Sequence, residues 1–192
     1  MGHHRVLGRT TDFITGKEII DTDDERIRQK IARFLVAKKG FSKEEIEPKV
    51  EIELCCGGEK ATAVLDFAIK IKGKIMMVIK YGPGSIVSRH RSTIAYARLV
   101  SPYEVPIAVI TNGIDADILD TETGSVIDTG IENIPSRRSL IQLISNRTIR
   151  NIEEHKREVE KRILFVYEAL EHSSECDDEF CIVRLSEESN SI

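Results

Sequence analysis

What this 192-residue chain lacks narrows its function first. No apolar run approaches the ~20 residues that a membrane-spanning helix needs. The opening MGHHRVLGRTTDF carries no apolar stretch of the secretory kind, so a cytoplasmic setting is expected. There is no excess of positive charge: 28 Lys and Arg against 32 Asp and Glu leave a net −4, so the chain as a whole does not attract nucleic acid. Walker A, G-x-S-x-G, H-E-x-x-H and Rossmann glycine patterns are all missing, and no ATP partner is expected. None of the five histidines forms an i, i+4 metal pair, and no internal repeat is visible. Cysteine is sparse, as Cys55-Cys56 and Cys176-x4-Cys181. Adjacent thiols on a strand point to opposite faces, and neither pair has C-x2-C spacing. Ordinary thiols are therefore favoured, with zinc or an iron–sulfur cluster as the alternative.

What is present describes an ordinary globular domain, 41% hydrophobic and 31% charged, long enough for one core with a helical appendage. The arginines are segregated. Arg89, Arg91 and Arg98 lie in a stretch without acid, and so do Arg137, Arg138, Arg147 and Arg150, while acid gathers in 18–25 and 171–188. Such patterning builds either a cationic face or merely solvated helix surface.

The segment 9–21 lacks strong periodicity. Thr22-Asp23-Asp24-Glu25 then opens a helix with Ile27, Ile31, Phe34 and Leu35 on one side, stopped by Gly40. Ser42 to Glu45 predicts a short second helix closed by Pro48. Strands are predicted over 50–55, 63–70 and 75–80, joined at Gly57-Gly58 and Lys72-Gly73 as a meander. A helix over 87–101 and a nearly all-apolar strand at 106–111 follow, the latter expected to be buried on both faces of a mixed or parallel sheet. Shorter strands at 116–120 and 125–128 precede helices over 136–145 and 148–172. The second of these carries Ile149, Ile152, Val159, Ile163, Val166 and Leu170 as a docking stripe, for its own core or for a homodimer. The expected division is 1–21 N-terminal segment, 22–130 core, 131–172 packed helices and 173–192 acidic tail.

The order helix, three-strand meander, helix, buried strand resembles the restriction-endonuclease-like, PD-(D/E)XK, core. Local text sharpens the likeness: TGKEIIDTDDERIRQKIARFLVAKKGFSKEEIE, then LDFAI, GKIMMVIK, AYARL and PIAVITNG. Over about residues 10–128 the chain resembles the N-terminal nuclease domain of type I restriction enzyme R subunits. The resemblance implies an α/β fold, a mixed central sheet flanked by helices with a C-terminal helical appendage. It also implies a DNA partner and Mg2+- or Mn2+-dependent phosphodiester cleavage, with an acid on the second strand and Glu-x-Lys on the third.

The residues at those positions can be weighed directly. Asp66 is a carboxylate in an apolar strand, which is costly unless it faces solvent, pairs with Lys80 or binds a metal. Positions 78 and 80 share a face, the geometry that Glu-x-Lys exploits, but position 78 is Val. Valine cannot bind a cation, so cleavage is expected to be weak or lost. Glu25 is the substitute acid to test, as catalytic residue or metal ligand beside Asp66; its competing role is a capping box with Thr22. Glu53 is a lesser candidate. The Gln-x3-Tyr helix motif of the resemblance appears as Ser92-x3-Tyr96, where Tyr96 either faces the site or packs in the core. Arg89 and Arg91 are candidates for DNA phosphate.

Overall fold

The computed structural model describes residues 6–56 and 59–173. The Gly57-Gly58 turn, Cys176, Cys181 and residues 174–192 of the expected acidic tail lie outside them. Eight strands and four helices follow in order: β1 (Val6–Thr11), β2 (Glu18–Thr22), α1 (Asp23–Ala37), β3 (Ile46–Cys56), β4 (Glu59–Ile71), β5 (Lys74–Tyr81), α2 (His90–Leu99), β6 (Ile107–Thr111), β7 (Ala116–Asp120), β8 (Val126–Thr129), α3 (Arg137–Ile144) and α4 (Glu154–Ser173).

Strands β3 to β8 form one six-stranded sheet in sequence order. Every neighbouring pair is antiparallel except β5 and β6, which run parallel because α2 carries the chain back across the sheet. The expected meander is β3-β4-β5, and β6 is buried at all five positions. Met77, Ile79, Tyr81, Ile107 and Val109 point to one face, under α1 and α3. Val78, Ala108, Ile110 and Leu119 point to the other, under α2 and α4. Period-2 alternation in the central strands thus feeds two apolar layers at once.

Several expectations shift. Ser42 does form a capping box with Glu45, but around a single 3-10 turn, Lys43–Glu45. Pro48 does not end a helix; it lies within β3, an edge strand, where a missing N–H costs little. The aperiodic N-terminal segment contains a two-stranded hairpin, β1 with β2. Those strands are largely exposed, so no face is forced to be apolar. At its turn Asp12 accepts hydrogen bonds from Ile14 N, Thr15 N and Thr15 Oγ1.

The helix expected from 148 starts at Glu154, because Asn151 is drawn into a bridge with Tyr103 and Ile152 N donates to Pro102. Helix α4 does dock on its own chain, against α2 and the β3–β4 hairpin. Of the expected stripe, Ile149 and Ile163 pack on the core, but among the described residues of α4 the fully buried ones are Glu160 and Leu164, while Val159 and Val166 stay exposed. The displacement has an electrostatic cause. Glu160 binds Arg91 Nη1 at 2.6 Å and Arg98 Nη1 at 2.9 Å, which turns a charged residue inward at the α2–α4 contact.

Candidate functional site

The hairpin β3–β4 changes face at one step. Phe67, Ile69 and Ile71 join the layer under α1, but Leu65 and Ala63, of the same parity, join the layer under α2 and α4. Between them the ladder passes from Pro48↔Phe67 to Val50↔Leu65, and the residue skipped, Lys49, has φ 54°. Positive φ is costly for a residue with a Cβ. Opposite Lys49 stands Asp66. On its other side β4 also parts from β5: backbone pairing runs up to Phe67↔Ile79, and the next N–H, that of Tyr81, donates at 2.8 Å to the Asp66 carboxylate. Asp66 therefore sits where two strands separate, and its side chain satisfies a backbone group that the ladder leaves over.

Around Asp66, only 3% exposed, the structure gathers charge from three elements. Helix α1 contributes Arg28, whose Nε donates to Asp66 Oδ1 at 2.5 Å and whose Nη1 lies 3.9 Å from Glu25 Oε2. Burial opposes the charge on Arg28, but the Asp66 carboxylate, then Glu25 and Asp24, hold its guanidinium above its ordinary value. The guanidinium also lies 5.3 Å from the Tyr81 ring centre. The Tyr81 hydroxyl donates to Asp24 at 2.9 Å, and burial, then that bond, pushes its pKa up. Strand β5 contributes Lys80, with Nζ 3.8 Å from Asp66 Oδ2, donating to Val64 O at 2.8 Å and lying 4.9 Å from the Tyr96 ring centre. Strand β3 contributes Lys49, paired with Glu25 Oε2 at 2.9 Å.

Four of the sequence candidates thus converge: Asp66 and Lys80 by direct pairing, Glu25 through Arg28, and Tyr96 through Lys80. The Thr22 hydroxyl accepts the Glu25 N–H, half of a capping box. The Glu25 carboxylate is employed elsewhere, by Lys49, Arg28 and the Gln29 amide at 2.9 Å. Gln29 extends the network, donating to Asp12 at 2.8 Å and accepting from Phe13 N at 2.7 Å. Ser92 points back along its own helix to Arg89 O. Glu53 lies apart, exposed on the outer half of β3 opposite Thr62.

Two phosphate candidates sit differently. Arg91 is committed to the buried carboxylate of Glu160, and the Arg89 side chain lies over Gly82, where a Cβ would stand 2.6 Å from Arg89 Cδ. Four of the seven segregated arginines meet a carboxylate in the fold. Besides Arg91, Arg98 meets Glu104 and Glu160, Arg137 meets Glu45, and Arg147 meets Asp120.

The donor set falls short of a divalent ion. Val78 is fully buried in the layer under α2, Asp66 is bonded to a guanidinium, and Mg2+ needs several hard oxygens in near-octahedral array. Among the described residues no group of three or more His, Cys, Asp or Glu is placed to hold a metal. The residues present do not fit Mg2+ or Mn2+.

Comparison with known families matches residues 23–135, more than half of the chain, to the type I restriction enzyme R protein N terminus. The chain belongs to that family. The segment matched to the R protein N terminus runs from the first residue of α1 through β8 and holds every member of the Asp66 cluster. No curated protein and no solved structure matches the chain. Within the R-protein segment, sequence reasoning overlooked Arg28 and Lys49. A signal existed for the first: Arg28 follows Asp24 by four and Glu25 by three, on one helix face. It also overlooked a His90–Asp117 contact of 2.6 Å, in which Asp117 continues the row Lys80, Ile110 across the sheet.

Proposed function

We propose that this chain is a restriction-endonuclease-like domain that contacts DNA without cutting it. The observation that carries the reading is the state of Asp66: its carboxylate is bonded to Arg28 and the Tyr81 N–H, and its neighbour at the Glu-x-Lys position is the buried Val78. Hydrolysis by such a core relies on a metal to stabilise charge and activate water, and Asp66, ion-paired itself and next to a Glu25 already held by Lys49 and Gln29, supplies too few free oxygens for one. DNA is the partner class because the family belongs to restriction enzymes. A cytoplasmic setting goes with that partner. No described helix is long and apolar enough to cross a membrane.

Supercoiled plasmid incubated with the full chain and Mg2+ or Mn2+ is expected to stay supercoiled. Nicking that Lys80→Ala abolishes would overturn the reading. Fluorescence anisotropy with a labelled duplex at low salt tests the binding half, with affinity expected to fall steeply as salt rises. If no duplex binds even at low salt, a protein-interaction domain becomes the better description. A second reading, cleavage with Glu25 as substitute carboxylate, draws on one observation: Glu25 and Asp66 contact the same guanidinium. Loss of nicking in Glu25→Gln as well as Lys80→Ala is the result that reading requires.

A further inference from the structure

Asp66 and Glu25 are both nearly enclosed, with side chains 4% and 5% exposed, and both contact Arg28. Two buried carboxylates so placed need neutralising, by protons, by a metal or by fixed cations. Lys80 stands further off than Arg28, and its ammonium donates to the Val64 carbonyl. Lys49 approaches from Glu25's side alone and is itself half exposed. Among the described residues, Arg28 is the cation paired with both acids, at 2.5 Å from Asp66 and 3.9 Å from Glu25. The geometry points to Arg28 as a resident cation: it neutralises the carboxylates of Asp66 and Glu25 and so closes them against divalent metal. Its removal opens a site for Mn2+ or Mg2+ on these two acids.

The chemistry of guanidinium makes this closure permanent. Arg keeps its charge at any pH at which the protein is folded, so the cation does not leave the acids by losing a proton. Its planar fork stacks near Tyr81 and reaches both oxygens' neighbourhoods, which a lysine ammonium at the same position would not reproduce. Without the guanidinium both acids lose the cation they share, and carboxylate oxygen is the ligand type that Mn2+ and Mg2+ prefer. Val78 keeps the opened site poor in ligands, so Mn2+, the more tightly bound of the two, is the ion to use. The inference rests on the reading of the site as metal-free in the natural chain.

Mn2+ binding to the full-length protein, followed by loss of the free-ion paramagnetic resonance signal, provides the test. Arg28→Ala is expected to bind one Mn2+ at least tenfold more tightly than the natural chain, and Arg28→Ala with Asp66→Asn is expected to lose that gain. No tightening, or tightening that survives Asp66→Asn, overturns the inference. Should Arg28→Ala fail to fold alone, a melting transition restored by Mn2+ supports it. In that event Arg28→Gln, which keeps much of the side-chain bulk, is measured as well. Absence of any Mn2+ response in both variants counts against it. Plasmid cleavage by the natural chain would instead remove the underlying reading, so the two failures are distinguishable.

Discussion

Lys72 and Gly73 form the two-residue loop between β4 and β5, closed by the Ile71↔Lys74 pair, with φ of 52° and 78°. Positive φ at both loop positions is the type I′ pattern, which suits the strand twist and favours Asn-Gly. Gly73 meets the demand freely, whereas Lys72 carries a Cβ into left-handed space. Lys72→Asn is therefore expected to stabilise the protein by roughly 0.5–1 kcal/mol, read from chemical denaturation, with no change at the Asp66 cluster. Lys49 is the contrasting case. Its φ of 54° brings strain too, but its ammonium holds Glu25 at 2.9 Å, so glycine there would trade one gain against one loss. One positive-φ lysine closes a turn; the other stands at the step where a hairpin changes face beside the site.

At the scale of elements, the contact between α2 and α4 turns on Glu160. It is 2% exposed and shared by Arg91 and Arg98, the latter also bonded to Glu104 and the Thr121 carbonyl. Glu160→Ala strips Arg91 of its carboxylate and Arg98 of one of its two, and is expected to cost about 3 kcal/mol. Urea unfolding checks the magnitude, and amide exchange in α4 should rise more than in β6. The same helix marks the boundary of what the sequence could tell. Strand identity in the centre was legible because β6 is apolar at four of its five positions, β5 carries an apolar run from Ile75 to Ile79, and the loops that follow β5 and β6 carry glycine. The parallel step was legible too, since an apolar strand after a helix implies a crossover. The face of α4 was not. Apolar periodicity pointed to Val159 and Val166, and the partner that turned the helix instead, an arginine pair on α2, is sixty-odd residues away. The hairpin β1–β2 was missed for another reason: exposed strands leave no hydrophobic pattern. Of the candidate site, Asp66, Val78 and Lys80 could be found by laying the family resemblance over strand parity. Arg28 could not be assigned to Asp66 without knowing how α1 crosses the sheet.

For the molecule as a whole, acid sensitivity follows from carboxylates that the fold holds ionised. Burial opposes ionisation of Asp12, yet hydrogen bonds from Thr15 and Gln29 keep its pKa below the usual range. Asp120 behaves alike, with burial outweighed by the Thr123 N–H and Arg147. A carboxyl whose native pKa is lowered stabilises the fold above its unfolded value, about 4, and that contribution is lost as pH falls through the native values. Melting temperature is thus expected to be flat near neutrality and to drop below about pH 4. Asp12→Asn with Asp120→Asn should lower the plateau and flatten the drop.

Both residues also tie the molecule together over distance. Asp12, from the N-terminal hairpin, reaches the Asp66 cluster through Gln29 and Glu25. Asp120 holds Arg147, beyond α3. The stretch that matches the family, 23–135, therefore omits a strand pair that clasps one end of the site network and a helix that covers Arg91 and Arg98. A fragment cut at those limits would leave Arg91 without its carboxylate, Arg98 with Glu104 alone of its two acids and Gln29 without Asp12, and is expected to unfold at a lower temperature and less cooperatively. The length of sequence shared with relatives and the length needed to stand alone are different quantities in this protein. Anyone transplanting the domain would have to carry residues from the N-terminal hairpin through α4, so that a graft moves the hairpin, the sheet and the last helix as one piece.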